Sequence, residues 1–261
     1  MPSPARLLYS LCLAMLCIAQ TAMGHAQSAT IAAASDLQFA LEAVREQYRL
    51  DTGHSVQAIY GSSGNFYRQI REGAPFQMFM SADESYVRQL DEAGLTEDGG
   101  VLYAQGRIVL IAPHDSLLQP DENLQSLREA LDSNLIQRFA IANPEHAPYG
   151  RRAEEALRHA GLWEALQEHL VLGENVSQAA QFATSGSTQG GIIAYSLALA
   201  PNVSRLGRYA LIPQDWHEPL RQRMVLLKTA SPALHEFYAY LQGTQAREIM
   251  RQFGFDLPQT P

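Results

Sequence analysis

Three times in the first third of this chain, an apolar run ends in a hydroxyl side chain where a helical pattern begins. Thr30-Ile31-Ala32-Ala33-Ala34 runs into Ser35, Val56 to Tyr60 into Gly61-Ser62-Ser63-Gly64, and Met78-Phe79-Met80 into Ser81. A helix start presents free backbone N–H groups and the positive end of the helix dipole, so a hydroxyl placed there can join them in holding an anion. The plainer role of such a serine is to cap its own helix, which stabilises by about 1 kcal/mol. Ser35 with Gln38, and Ser81 with Glu84, have capping-box spacing, and capping is the simpler account of each taken alone. Gly61-Ser62-Ser63-Gly64 says more: two hydroxyls exceed what a cap requires, and the flanking glycines let backbone approach a ligand closely.

Other chemistries fit less well. A serine on a strand-to-helix turn also describes a hydrolase elbow, but no Gly-x-Ser-x-Gly frame surrounds Ser62 or Ser63, and no Asp and His in suitable order stand out. The eight histidines lack paired ligand spacing, and neither a His-Glu-x-x-His motif nor an acidic calcium loop is present. The glycine-rich nucleotide loops are missing too. Further along, Asn143-Pro144-Glu145-His146-Ala147-Pro148-Tyr149-Gly150 precedes a helical pattern. Its prolines stiffen the loop, so Tyr149 either presents its hydroxyl in a fixed direction or packs over the helix start.

These residues sit in a chain that alternates short apolar runs with amphipathic helical patterns, the signature of βα units and of an α/β fold with largely parallel sheet. Ser35 opens a helix bearing Leu37, Ala40, Leu41, Val44 and Tyr48, and Ser81 one bearing Val87 and Leu90 up to Gly94. Arg107 to Ala112, Phe139 to Ala142, Gly191 to Ala194 and Met224 to Leu227 read as further strands. Helices are expected at Ala153 to Ala160 and Ala179 to Ala183, and after Ser231-Pro232 and Thr244.

Arg6 followed by the apolar run Leu7 to Ala19 and a small-residue stretch through Ala26 reads as a secretory signal peptide, residues 1–26. Lipidation at Cys17 fits poorly, because Leu16 stands where a small residue is needed. Cys12 and Cys17 both fall in the removed segment, so the mature chain has no thiol and must rely on its core. The formal charge of −8 becomes −9 without Arg6, with no basic run, which disfavours nucleic acid and anionic membrane surfaces. An anionic ligand would have to be held by local dipoles.

Taken together, Ala33-Ala34-Ser35-Asp36-Leu37, Gly61-Ser62-Ser63-Gly64-Asn65, Gly73-Ala74-Pro75-Phe76, Met80-Ser81-Ala82-Asp83-Glu84, the Asn143 to Gly150 segment, and Gln245-Ala246 with Phe253-Gly254-Phe255 resemble the periplasmic molybdate-binding proteins of ABC importers. The likeness spans essentially the whole mature chain, in order. It implies a two-lobed Venus-flytrap fold, each lobe a mostly parallel sheet flanked by helices. Lobe 1 would comprise residues 27–107 and 226–261 and lobe 2 residues 108–225, with crossings near Arg107 to Ala112 and Met224 to Leu227. It also implies a non-enzymatic periplasmic receptor, acting as a monomer without a cofactor, that delivers molybdate or tungstate to membrane permease subunits. Carried over by position, the ligand contacts would be Ser35, Ser63, Tyr149 and the backbone of Val176. A site made only of donors suits a fully deprotonated tetrahedral dianion. Some members place a ligand tyrosine after the Gly-Ile-Val run, where this chain has Ala194, with Tyr195 one residue later; Tyr149 is expected to substitute for it. Asp36 is expected to turn its carboxylate away from the anion and to offer only its N–H. A sulfate receptor, another oxyanion receptor and a secreted serine hydrolase are the competing readings. An iron receptor would need clustered tyrosines, which Tyr238 and Tyr240 in a C-terminal helix do not supply.

Overall fold

Both faces of the strands Ile31–Ala34 and Met78–Ser81 are buried, as continuous apolar runs require when helices cover a sheet on each side. The computed structural model describes residues 29–258; the expected signal segment, with Cys12 and Cys17, lies outside them. The chain first lays down β1 (Thr30–Ala34), a 3-10 turn (Ser35–Leu37), α1 (Gln38–Thr52), β2 (Gln57–Gly61), α2 (Ser63–Arg71), β3 (Met78–Ser81), α3 (Glu84–Glu92) and β4 (Val101–Gly106). It then builds a second lobe from β5 (Ile108–Pro113), α4 (Gln125–Asp132), β6 (Phe139–Ala142), α5 (Pro148–His159), α6 (Trp163–Leu166), β7 (Leu170–Gly173), α7 (Val176–Thr184), β8 (Gly190–Ala194), α8 (Tyr195–Ala198), α9 (Pro201–Ser204) and β9 (Gly207–Leu211). β10 (Leu220–Leu226), α10 (Pro232–Leu241) and α11 (Thr244–Gln252) return to the first lobe. There Tyr48 of α1 meets Phe237 and Tyr240 of α10 edge to face, with ring centroids 5.0 and 5.1 Å away.

Each lobe holds one five-stranded sheet, ordered β2-β1-β3-β10-β4 and β7-β6-β8-β5-β9. The sheets are mixed rather than mostly parallel. β1 runs parallel to β2 and β3, and β6 parallel to β7 and β8, whereas β10 and β5 are antiparallel to both of their neighbours. Parallel neighbours need a crossover, which the βα units supply. β5 and β10 enter directly from the other lobe without one, and so run the opposite way.

The first change of sheet falls at Arg107, between β4 and β5. The return comes earlier than the expected boundary at 226, because all of β10 from Leu220 pairs in the first sheet. The polar half of that strand hid it. Arg221 and Arg223 reach Glu84 at 2.7 and 3.1 Å, while Gln222 between them is fully buried.

Two expected capping boxes are absent. Neither Ser35 nor Ser81 caps its helix: Asp83 caps α3 by accepting the N–H of Ser85 at 2.9 Å, and Glu84 binds the arginines instead. That releases the hydroxyl of Ser35 for another task.

Candidate functional site

The two lobes meet around a small cleft, lined by Ala34, Ser35, Asp36, Gly61, Ser62, Ser63 and Ala82 from the first lobe and by Ala147, Pro148, Tyr149 and Val176 from the second. The starts of α2, α5 and α7 and the turn at Ser35 all point into it. No lysine or arginine lines the cleft, so helix dipoles and N–H groups provide its positive potential.

The hydroxyls differ in what is left for a ligand. Ser63 Oγ accepts the N–H of Ala82 at 3.0 Å, and Ser35 Oγ accepts that of Ser177 at 3.3 Å. A hydroxyl has one proton, and these two spend theirs on no acceptor among the described residues, so both remain donors toward the cleft. Val176 is the first residue of α7, where an N–H has no partner within the helix. Asn175 caps the next two, Ser177 and Gln178, at 3.0 and 3.1 Å, and leaves that of Val176, a lining residue of the cleft, uncapped. Ser62 is different: its hydroxyl donates to His146 O at 2.5 Å, across the lobes.

That bond also bears on nucleophilic chemistry. His146 lies between Ser62 Oγ, 3.0 Å from Nδ1, and Glu174, 3.6 Å from Nε2, which outlines a Ser-His-Glu arrangement. With the Ser62 proton committed to a carbonyl, the contact to Nδ1 requires that nitrogen to carry the hydrogen. The imidazole then donates to Ser62 and is not its base.

Asp36 and Tyr149 are bonded to each other. The Asp36 side chain is fully buried and lines the cleft; its Oδ2 accepts the Tyr149 hydroxyl at 2.9 Å and the Gln222 amide Nε2 at 2.6 Å, while Oδ1 has no partner. Burial pushes its pKa up to about 6, against the lowering effect of Gln222, Tyr149 and the N–H groups of Asp36 and Leu37. The carboxylate is thus bonded both to Tyr149, itself a lining residue of the cleft, and to Gln222 behind it. The proton of Tyr149, expected to point at a ligand, is given to Asp36. Gln222 Nε2 also lies 3.1 Å from the Tyr149 oxygen, and Tyr103 donates to Gln222 Oε1 at 2.7 Å, which fixes the orientation of the amide. Burial, then the charge of Asp36, raises the pKa of both tyrosines well above the ordinary value, so they stay protonated.

Tyr195 is not among the lining residues. Its N–H donates to Arg107 O at 2.9 Å, and its ring packs against Tyr209 and the backbone at Gly254, so it belongs to the hinge. Gln222, Tyr103 and Ser177 gave no sequence signal beyond being polar residues in or beside apolar segments.

The lobes are closed on each other. Gly64 N–H donates to His146 O at 3.0 Å, Ser177 Oγ to Ser35 O at 2.8 Å and Ser196 Oγ to Asp36 O at 2.8 Å. At the rim, the Arg151 guanidinium lies 5.3 Å from the Tyr86 ring centre and donates to its hydroxyl at 2.5 Å, with Asp83 3.7 Å away. Two lobes closing on donors at helix starts, with no cation, define a receptor that encloses a small anionic solute.

Comparison with known proteins agrees with that class. Residues 29–256 match the model of the bacterial extracellular solute-binding proteins, and the chain belongs to that family. Among curated relatives, the molybdate-binding protein ModA of Azotobacter vinelandii is 32% identical over 93% of each chain, and that of Rhodobacter capsulatus 35% identical over 78% of each. The solved periplasmic molybdate-binding protein of Azotobacter vinelandii superposes with a TM-score of 0.80 at 31% identity, covering 88% of this chain and 99% of that one. The family and these relatives are binding proteins, and the chain is not an enzyme.

Proposed function

We propose that this chain is an exported periplasmic receptor that encloses molybdate, with tungstate as an alternative ligand, and delivers it as a monomer to the permease subunits of an ABC importer. The observation that carries this reading is the pair Ser35 and Ser63. Each hydroxyl accepts a backbone N–H and keeps its own proton for the cleft, opposite the free N–H of Val176. Such a set offers three donors to a tetrahedral dianion and uses no buried cation. The molybdate-binding relatives support the choice of anion, and the size of the cleft would set discrimination against sulfate.

A thermal-shift titration of the mature chain with molybdate, tungstate, sulfate and phosphate tests this. Molybdate at about 100 times its Kd is expected to add about 2.7 kcal/mol, which for a chain of this size raises Tm by roughly 5 to 10 °C. An unchanged Tm with micromolar molybdate and tungstate would sink the assignment, and a shift with sulfate alone would favour the sulfate reading.

Ser63→Ala removes one hydrogen bond to a charged ligand and is expected to weaken molybdate binding by about 1.5–3 kcal/mol, roughly ten- to a hundredfold in Kd. Calorimetric titration reads this directly. An unaltered Kd would remove Ser63 from the contact set.

A further inference from the structure

The Tyr149 hydroxyl has a single proton, and in this structure Asp36 takes it. Two observations set that arrangement against a bound dianion. Asp36 is the one charged residue among those lining the cleft and its side chain is fully buried, so an anion held beside Ser35 and Ser63 lies close to a desolvated carboxylate. And the Tyr149 hydroxyl, from the second lobe, has no proton to offer a ligand for as long as the carboxylate accepts from it.

We propose that Asp36 is a proton-accepting positioning residue: it takes up one proton as the oxyanion enters and, by donating that proton to Tyr149, turns the Tyr149 hydroxyl toward the ligand. This rests on the oxyanion reading above. The proton comes from solvent and resides on Asp36 Oδ2. The Oδ2–H donates to the Tyr149 oxygen across the 2.9 Å contact that now runs the other way, and the phenol oxygen also accepts from Gln222 Nε2 at 3.1 Å. Tyr103 holds the Gln222 amide in the one orientation that suits both states, since Nε2 faces the Asp36–Tyr149 pair before and after the proton arrives.

The surroundings of Asp36 favour this. Its carboxylate is faced by Tyr149 from α5, Gln222 from β10 and Tyr103 from β4, and by the N–H groups of Asp36 and Leu37. The turn's other neighbours bring Gly61 from β2, Ser177 from α7 and Ser196 from α8. Both tyrosines remain neutral, and no cation stands among the groups that set its titration. Burial already holds the acid near pH 6 without ligand, so a neighbouring dianion has only a short way to raise it before the proton stays on at neutral pH.

The test is calorimetric titration of the mature chain with sodium molybdate at about pH 7.5, in Hepes and in Tris, whose protonation enthalpies differ, repeated at several pH values. Uptake of close to one proton per molybdate is expected, with affinity falling about tenfold per pH unit above neutrality. Asp36→Asn, whose amide donates permanently, is expected to bind with no proton uptake and an affinity flat with pH, which a merely structural residue would not produce. Tight wild-type binding with no proton uptake and no pH dependence overturns the inference without using any variant, as does full uptake retained in Asp36→Asn. Absence of molybdate binding at every pH overturns the oxyanion reading itself, and this inference falls with it.

Discussion

Gly64→Ala is expected to abolish tight molybdate binding while costing the unliganded chain only the contacts between its closed lobes. A Cβ at Gly64 would lie 2.5 Å from His146 O and 2.8 Å from the Tyr86 hydroxyl, both too close for real contacts. The tyrosine can swing aside, but the backbone of His146 cannot. Its turn is tied down by Ala147 N–H to Asn143 O at 2.9 Å and Glu145 N–H to Asn143 Oδ1 at 3.0 Å, and it is anchored to β7 through Asn143 N–H and Gly173 O at 2.8 Å. Relief must therefore come from moving the lobes apart. Because His146 belongs to the second lobe, separation takes Tyr149 and the Val176 N–H away from a ligand seated on Ser35 and Ser63. Two donors to a charged ligand are worth about 3–6 kcal/mol, so Kd should rise more than a hundredfold. Tm without ligand should fall only by what the contacts between the closed lobes contribute, because the clash exists nowhere else. Unaltered affinity in the variant would mean that the His146 contact is not needed for the bound state.

The same contact shows where sequence reasoning ran out. Periodicity and hydroxyl placement were enough to put Ser35 and Ser63 at helix starts, because strand, turn and helix are local events. The assignment of donors was not local. Ser62 and Ser63 are adjacent and chemically identical, yet one gives its proton to a carbonyl 84 residues away and the other keeps it, a difference made entirely by how the lobes close. Asp36 was expected to turn its carboxylate away because a charge beside a dianion is repulsive. That reasoning treated the carboxylate as permanently ionised and lacked its partners, Tyr149 and Gln222, which lie 113 and 186 positions further along. Mixed sheets escaped for a related reason: β10 shows its apolar character only in its last residues, and its direction is set by the passage from the other lobe. The family resemblance supplied the two-lobed frame that spacing alone did not.

Stability of the unliganded chain should fall between about pH 4 and pH 6 by an amount that Asp36→Asn removes. The sign follows from the direction of the shift. Asp36 is raised from 3.8 to about 6 by burial, so the folded state holds its proton more tightly than the unfolded chain does. Its contribution is fully present below 3.8 and is lost as pH rises through about 6, and at about 1.4 kcal/mol per pH unit the loss amounts to about 3 kcal/mol. Glu84, paired with Arg221 and Arg223, has its pKa lowered and contributes in the opposite sense, so the raw curve of either protein mixes the two. The difference between wild type and Asp36→Asn isolates the buried acid. In urea unfolding, the variant should be the more stable by up to about 3 kcal/mol near pH 8, with the gap closing toward pH 4. A gap that stays constant with pH would mean that Asp36 titrates normally in the folded chain. A gap that closes as stated would place a buried charge without a cationic partner at the junction of the two lobes, where β10 supplies Gln222 to hold it and β4 supplies Tyr103 to fix that amide. Such a charge works against folding when the cleft is empty and is neutralised when a proton arrives, so the conditions that stabilise the closed chain are the ones that favour loading it.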